Sequence, residues 1–484
     1  QSRRDRKARH IAAADHFALQ SDGVDDLAVV VAQHLLAALE AVPAEGEEGE
    51  RLSARARQHL VLAAERATEV GAPSEAVRLY TAALEHTSDP LASAQLHLAC
   101  ATAAITAGRY STGVEHAVAA TEQFDALDDR ADAARAAAVH GSALSHLGDN
   151  AAAMAVASPR WESLRGEPGA EPVLLPLAEV LSRAANRRSD REARDYYTRE
   201  LLLLAEALGD PGALAVAQIE MGIAYASIGA PATARASYET AVQIARDHGA
   251  TDALSRALAT LGGMLNSRDL AVARERSREA QEESRRAGLG WRLDLATANA
   301  LIGAWTAGEH LEPIRSALVQ ALEDNPATDM ESAFHAMLAW IALASGEEGQ
   351  VVVDPSAELP TDEAQTYAWR SNREIVGALR AGDVRRAADV ASRAIDHIIA
   401  DMGIEDDFLI LWPWLVQAAL AADDTALAER LLSPVDASLP GRVSPGVGAM
   451  AHRLRGLVAA ARGDDPEYVE AELRAGVASL GAFG

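Results

Sequence analysis

The chain has 484 residues, 49 % of them apolar but only 4 % aromatic, so alanine and leucine must build whatever core it has. Its formal net charge of −27 excludes a basic surface for phosphate neutralisation at the whole-chain level and sets it against anionic membranes. Cys100 is the single cysteine, which rules out an internal disulfide and any C-x-x-C metal site and fits a cytoplasmic setting.

The opening Gln1-Ser2-Arg3-Arg4-Asp5-Arg6-Lys7 is polar, carries no signal peptide and lacks an initiator Met, so a segment of a longer protein is expected. Residues 1–50 are read as N-terminal helices, with AEGEEGE at 44–50 as an acidic linker between these helices and the rest of the chain. No apolar run reaches the length of a membrane span.

From residue 51 a repeat takes over. Its clearest copy has Met221-Gly222 and Tyr225 on one helix, Gly229-Ala230-Pro231 in the turn, and Ala234, Tyr238 and Ala241 on the next helix. Small residues fall where two helices cross and bulky ones fill the space between pairs, a spacing that resembles the tetratricopeptide pattern. Gly71, Gly108, Gly148, Gly308, Gly382-Asp383, Asp423-Asp424 and Gly463-Asp464 punctuate the same pattern. Their spacing is nearer 40 residues than the usual period of about 34, which calls for elongated helices. The expected fold is all-α, a right-handed α-solenoid of antiparallel helix pairs. It divides into a superhelix over 51–345, a linker loop at 346–361 (GEEGQVVVDPSAELPT) and further repeats over 362–484, with a second break at 434–446. Pro413, inside LWPWLVQAAL, either kinks its helix or marks its first turn.

The motifs of catalysis are missing. Lys7 is the only lysine, so no G-x-x-x-x-G-K-[ST] loop can form, and neither H-E-x-x-H nor G-x-S-x-G occurs. The fourteen histidines are scattered; His140 and His146, six apart, do not share a helical face. Adjacent carboxylates such as Glu282-Glu283 read as solvated surface, and Asp149 and Asp464 as helix caps. No enzyme activity, cofactor or metal is expected of this chain.

The opening RRDRKARHIAAADHF and the following DDLAVVVAQHLLAALEA resemble the junction after the ATPase core in the signal-transducing STAND ATPases of bacteria, including LuxR-type ATP-binding regulators and cyclase–ATPase–tetratricopeptide proteins. In that resemblance His10, Ala13 and His34 lie on helices leaving a winged-helix region, and the repeats from Arg51 to the ending MAHRLRGLVAAARGDDPEYVEAELRAGVASLGAFG form the sensor arm. It implies a non-catalytic arm that receives a protein, a peptide or a small-molecule inducer and reports to an ATPase domain upstream in cis, without touching nucleic acid or membrane. The second reading is a free-standing peptide-binding or scaffold protein.

A ligand is expected in the concave groove lined by the first helix of each pair. The register places Arg135, His146, Asn186, Arg256, Asn266, Trp305, Trp369, Asn372 and Arg380 there. The arginines suit carboxylates, the asparagines a peptide backbone, and the tryptophans apolar anchors. The same residues have a plainer reading, in which the polar ones are solvated and the tryptophans are inter-repeat core.

Overall fold

In the computed structural model of the chain, residues 2–20, 27–41, 46–323, 328–346, 364–404 and 407–483 are described. Two helices, α1 (Arg3–Gln20) and α2 (Ala28–Ala41), open it. Seven pairs follow: α3 (Gly46–Glu69) and α4 (Pro73–Leu84), α5 (Pro90–Thr106) and α6 (Tyr110–Ala126), α7 (Arg130–His146) and α8 (Asn150–Leu164), α9 (Glu171–Arg187) and α10 (Arg191–Leu208), α11 (Pro211–Ser227) and α12 (Pro231–Asp247), α13 (Thr251–Leu265) and α14 (Leu270–Arg286), α15 (Gly290–Thr306) and α16 (Leu311–Glu323). Helix α17 (Thr328–Ala344) comes next, then α18 (Ala364–Arg380) with α19 (Val384–Asp401), α20 (Phe408–Ala421) with α21 (Thr425–Asp436), and α22 (Pro445–Arg462) with α23 (Pro466–Phe483). No strand occurs among the described residues. The fold is an α-solenoid of antiparallel, tetratricopeptide-like helix pairs, and we call the first helix of each pair A and the second B.

The long pitch has a simple cause. Helices α11 and α12 each run 17 residues, about one turn more per helix than a repeat of about 34 residues allows. The joining turns need a left-handed residue to end the A helix. Gly229 supplies it at φ 73°, while Ser189 and Asp423 take the same position at φ 56°, and Asp128 does so after the B helix α6, also at φ 56°. Aspartates then start the next helix: Asp89, Asp190, Asp210, Asp383 and Asp424 each accept a backbone N–H three residues on. Asp149 caps α8 through Ala152 N at 2.9 Å, as its position suggested. Asp464 does not cap: it pairs with Arg462, and Asp465 accepts from Glu467 N at 3.1 Å instead.

Three other expectations meet the structure. Residues 46–50 are no linker but the first turn of α3, where Glu47 and Glu48 sit against the positive end of the helix dipole. The break at 434–446 is shorter than expected, because α21 continues through Pro434 to Asp436. A 3-10 turn over Pro440–Arg442 follows, and Ser444 caps α22. Pro413 lies inside α20, past its first turn. The linker expected at 346–361 falls, apart from the turn at Gly346, outside the described residues.

The helices gather into two compact units. The first comprises Gln1–Leu144, Ala155–Leu177 and Arg286–Trp291; the second comprises Ser145–Met154, Ala178–Arg285 and Arg292–Gly484. In the first, Phe124 is fully buried among Ala94, Ala120, Ala133 and Ala136. In the second, Phe334, Trp340 and Trp412 anchor an apolar core from Ala298 to Val458. Glycine faces let the helices close on each other. The Tyr238 ring lies flat against Gly222, where a Cβ would overlap it. Gly222→Ala is therefore expected to cost about 1–3 kcal/mol, read as a lower midpoint of urea unfolding. An unchanged midpoint would show that α11 and α12 do not depend on this contact.

Candidate functional site

The A helices of the second unit carry charged side chains where the repeat otherwise buries alanine. Glu220 is the only charged residue of α11, set in PGALAVAQIEMGIAYAS, and it is 1 % exposed. Arg256 of α13 reaches it with Nη2, forming a buried ion pair between consecutive A helices. One turn earlier on α13, Asp252 takes Arg292 of α15 in a two-pronged pair, Nε and Nη2 each at 2.9 Å. On α9, Arg183 pairs with Glu179 one turn back. Each of the three arginines is more than nine-tenths buried, whereas the side chains of Asp252 and Glu179 keep 45 % and 32 % of their surface. The arginines and Glu220 thus form the floor of this row, and Asp252 and Glu179 its rim.

The electrostatics follow from burial. Loss of solvent pushes Arg183 down to about 10 even with Glu179 beside it. For Arg256 burial acts in the same direction, but Glu220 and its neighbouring carboxylates outweigh it and hold the guanidinium above its ordinary value. Burial opposes ionisation of Asp252, and the charge and hydrogen bonds of Arg292 override it. His146, at the end of α7, faces the same arginines. Burial first, and then the charges of Arg183, Arg187, Arg292 and Arg256, depress it well below 6.5 and keep it neutral.

One pair is bonded at one corner only. Arg256 Nη1 and Glu220 Oε2 are buried and find no hydrogen-bond partner among the described residues. The pair thus keeps one donor on Arg256 and one acceptor on Glu220, the two kinds of group that an amide's C=O and N–H need. An isolated, purely structural ion pair would gain by closing both corners.

A second polar row stitches the A helices further along. Asn266 Nδ2 donates to Asn299 O at 3.2 Å, and Asn299 Nδ2 to Ala259 O at 2.8 Å. Trp340 Nε1 donates to Asn372 Oδ1 at 2.6 Å, and Asn372 Nδ2 to Leu411 O at 3.0 Å. Trp369 Nε1 and Gln365 Nε2 both donate to Asp407 Oδ2 at 2.8 Å. Burial raises the pKa of Asp407, and these two donors oppose the shift. The rings of Trp305, Trp369 and Trp414 lie 5.4–6.1 Å from that of Trp340.

The structure accordingly sorts the expected groove residues. It brings His146 and Arg256 together, with Asn186, partly buried, one turn beyond Arg183. Trp369 and Asn372 are buried, with their side-chain donors spent on neighbouring helices. Asn266 is buried, with Oδ1 still unbonded among the described residues. Trp305 packs on Trp340, and Arg380 is half-buried in the last turn of α18. Arg135 belongs to the first unit and pairs with Asp132 on its own helix. Sequence reasoning missed Glu220, Arg183, Arg292, Asp252 and Glu179. For Glu220 the signal was there: a lone acid inside an apolar helical run.

No metal-binding group of three or more side chains occurs among the described residues, and no described helix is long and apolar enough to cross a membrane. No family profile and no curated protein matches the chain. Solved structures do. A Rap protein complexed with competence and sporulation factor is similar over 82 % of this chain and 99 % of its own, at 12 % identity and a TM-score of 0.48. A STAND protein with a tetratricopeptide repeat sensor from Pyrococcus horikoshii is similar over 65 % of this chain, at 13 % identity and a TM-score of 0.39; the chain spans 52 % of that protein. Yeast Tom70 is similar over 87 % of this chain, at 13 % identity and a TM-score of 0.25. These likenesses concern helical-repeat architecture and extend no further.

Two outcomes test the site. Glu220→Ala strands the Arg256 charge and is expected to destabilise the second unit by about 3–5 kcal/mol, while the double change Glu220→Gln with Arg256→Gln costs less than the single one. Calorimetry that ranks them the other way contradicts the pair. His146 has a depressed pKa in the fold, so the unfolded chain takes up the proton first. Its contribution is present above 6.5 and is lost as pH falls below that value. The His146→Gln variant should lose less stability than the parent between neutral pH and pH 5 in thermal melts, and equal losses would remove His146 from the account.

Proposed function

We propose that this chain is a non-catalytic binding module that receives an extended peptide or a protein segment along the A-helix row of its second unit. The observation that carries this reading is the buried Arg256–Glu220 pair, which keeps an unpaired donor on Arg256 and an unpaired acceptor on Glu220. A peptide amide completes both, and the rim acids Glu179 and Asp252 would favour a segment with basic or neutral flanks. His146, Asn186 and Asn266 extend the polar row on either side. Trp305, Trp369, Asn372 and Arg380 complete the proposed contact set on this unit, the tryptophans as the apolar support of the groove, and Arg135 is a separate proposed contact on the first unit.

The wider role we assign is the sensor and interaction arm of a larger ATPase-type signalling regulator acting in transcriptional control. Residues 1–50 would join it to the ATPase domain in cis, and 51–345 and 362–484 would be its two runs of repeats. The RRDRKARHIAAADHF opening supports this. A free-standing peptide-binding scaffold is the alternative, and both place the chain in the cytoplasm.

Selection of the full chain against a random heptapeptide library tests the binding role. A consensus sequence is expected, with affinity falling about tenfold or more in the Glu220→Gln, Arg256→Gln double variant, in line with hydrogen bonds to charged groups. Enriched peptides that bind the variant equally well would overturn it. For the wider role, the polypeptide that contains this chain should hydrolyse ATP at a rate the selected peptide changes several-fold; one with no ATPase domain leaves the scaffold reading.

A further inference from the structure

The break between α21 and α22 does more than join two helices. Two to six residues connect the other pairs to the pair that follows; here Ala437–Ser444, eight residues, makes a wider path around a 3-10 turn. The detour opens a cavity of about 600 Å³ between the end of α21, the first half of α22 and the end of α23. That volume suits a small molecule.

Its walls have two characters. Val435, Val443, Ala449 and Phe483 make one part apolar, and His452 and Arg455, one turn apart on α22, make the other basic. Each basic group is held by a carboxylate. His452 Nδ1 lies 2.8 Å from Glu472 Oε2. Arg455 directs Nε (3.0 Å) and Nη2 at the same oxygen, Oδ1 of Asp436, whose side chain is 48 % exposed. A guanidinium gripping one oxygen of an exposed carboxylate forgoes the parallel two-oxygen geometry it prefers, so a better-placed carboxylate can displace Asp436.

The same segment is tied to distant repeats within the second unit. Gly446 N–H donates to Ser267 O at 2.9 Å, and the Arg442 guanidinium lies over Gly229. Gly446 has to be glycine: a Cβ there would come within 3.0 Å of both Ser267 O and the Phe483 ring. The Phe483 ring is thus shared between the cavity wall and this tie.

We propose that the cavity is an effector site for a small amphipathic carboxylic acid. The carboxylate takes Arg455 from Asp436 with His452 alongside, and the hydrocarbon lies on Val435, Val443 and Phe483. Filling it packs the wall that carries Phe483 and tightens the tie from Gly446 to Ser267. The site is separate from the A-helix row and does not depend on peptide binding there.

Calorimetric titration of the full chain with octanoate and with 4-phenylbutyrate, both below their aggregation limits, tests this; acetate and 1-octanol are the controls. We expect saturable one-to-one binding of at least one of the two acids, with acetate and 1-octanol at least tenfold weaker. The acid that binds shows whether the apolar wall takes an alkyl or an aryl body. Arg455→Met should weaken binding at least tenfold, and Asp436→Asn should strengthen it several-fold, a gain that a merely structural arginine would not give. Ser479→Trp, at the cavity lining, should abolish binding with the helical circular-dichroism signal retained. Hydrogen exchange of amides 438–446 should slow on binding. No saturable binding of either acid, or equal affinity in Arg455→Met and Ser479→Trp, overturns the proposal.

Discussion

Close approach between helices, permitted by alanine and glycine at the crossings, is the constraint on which the rest of this structure depends. With 4 % aromatic residues the chain has few large side chains to fill gaps, so the helices themselves must come together. Gly222 under Tyr238 shows the principle in one contact. Gly456, against Leu473, repeats it in the last pair. Close helices leave little room for water between A faces, and that makes any charge placed there costly unless another helix answers it.

The row from Glu179 to Arg292 is best understood against that cost. Apolar side chains of similar volume at these positions would carry no such cost. Instead three arginines are buried and each is met by a carboxylate, two of them from the preceding A helix. Such pairs add little net stability over apolar packing, so stability alone is a poor reason for them. A ligand that reads hydrogen-bonding groups is a better one, and the unclosed corner at Arg256 and Glu220 is where it would act. Burial, and then these charges, keep His146 neutral, so the row presents a fixed pattern of donors and acceptors across the neutral range.

Much of the fold was legible because it is written in short-range terms. Gly229-Ala230-Pro231, the turn aspartates and the A-x-x-x-Y-x-x-A spacing each act within one repeat, and the structure places them as read. Errors arose where two local rules competed. AEGEEGE at 44–50 looks like a linker by composition, yet Glu47 and Glu48 are suited to a helix N-terminus. Asp464 and Asp465 are equally good caps by type, and the attraction of Arg462 decides between them. The site was harder to read because it is made between repeats. Asp252 and Arg292 are 40 residues apart, and no periodic rule says which charged residue on one A helix answers which on the next. Trp369 and Asn372 show the same: their polar ends bond Asp407 and Leu411 O, partners 38 and 39 residues away.

The central claim is that the A-helix row of the second unit receives the ligand. Hydrogen–deuterium exchange of the full chain with and without a library-selected peptide tests it most directly. The account predicts slower exchange concentrated in α9, α11, α13 and α15, around Arg183, Glu220, Arg256 and Arg292. Protection confined to the B helices, or to the first unit alone, would contradict it.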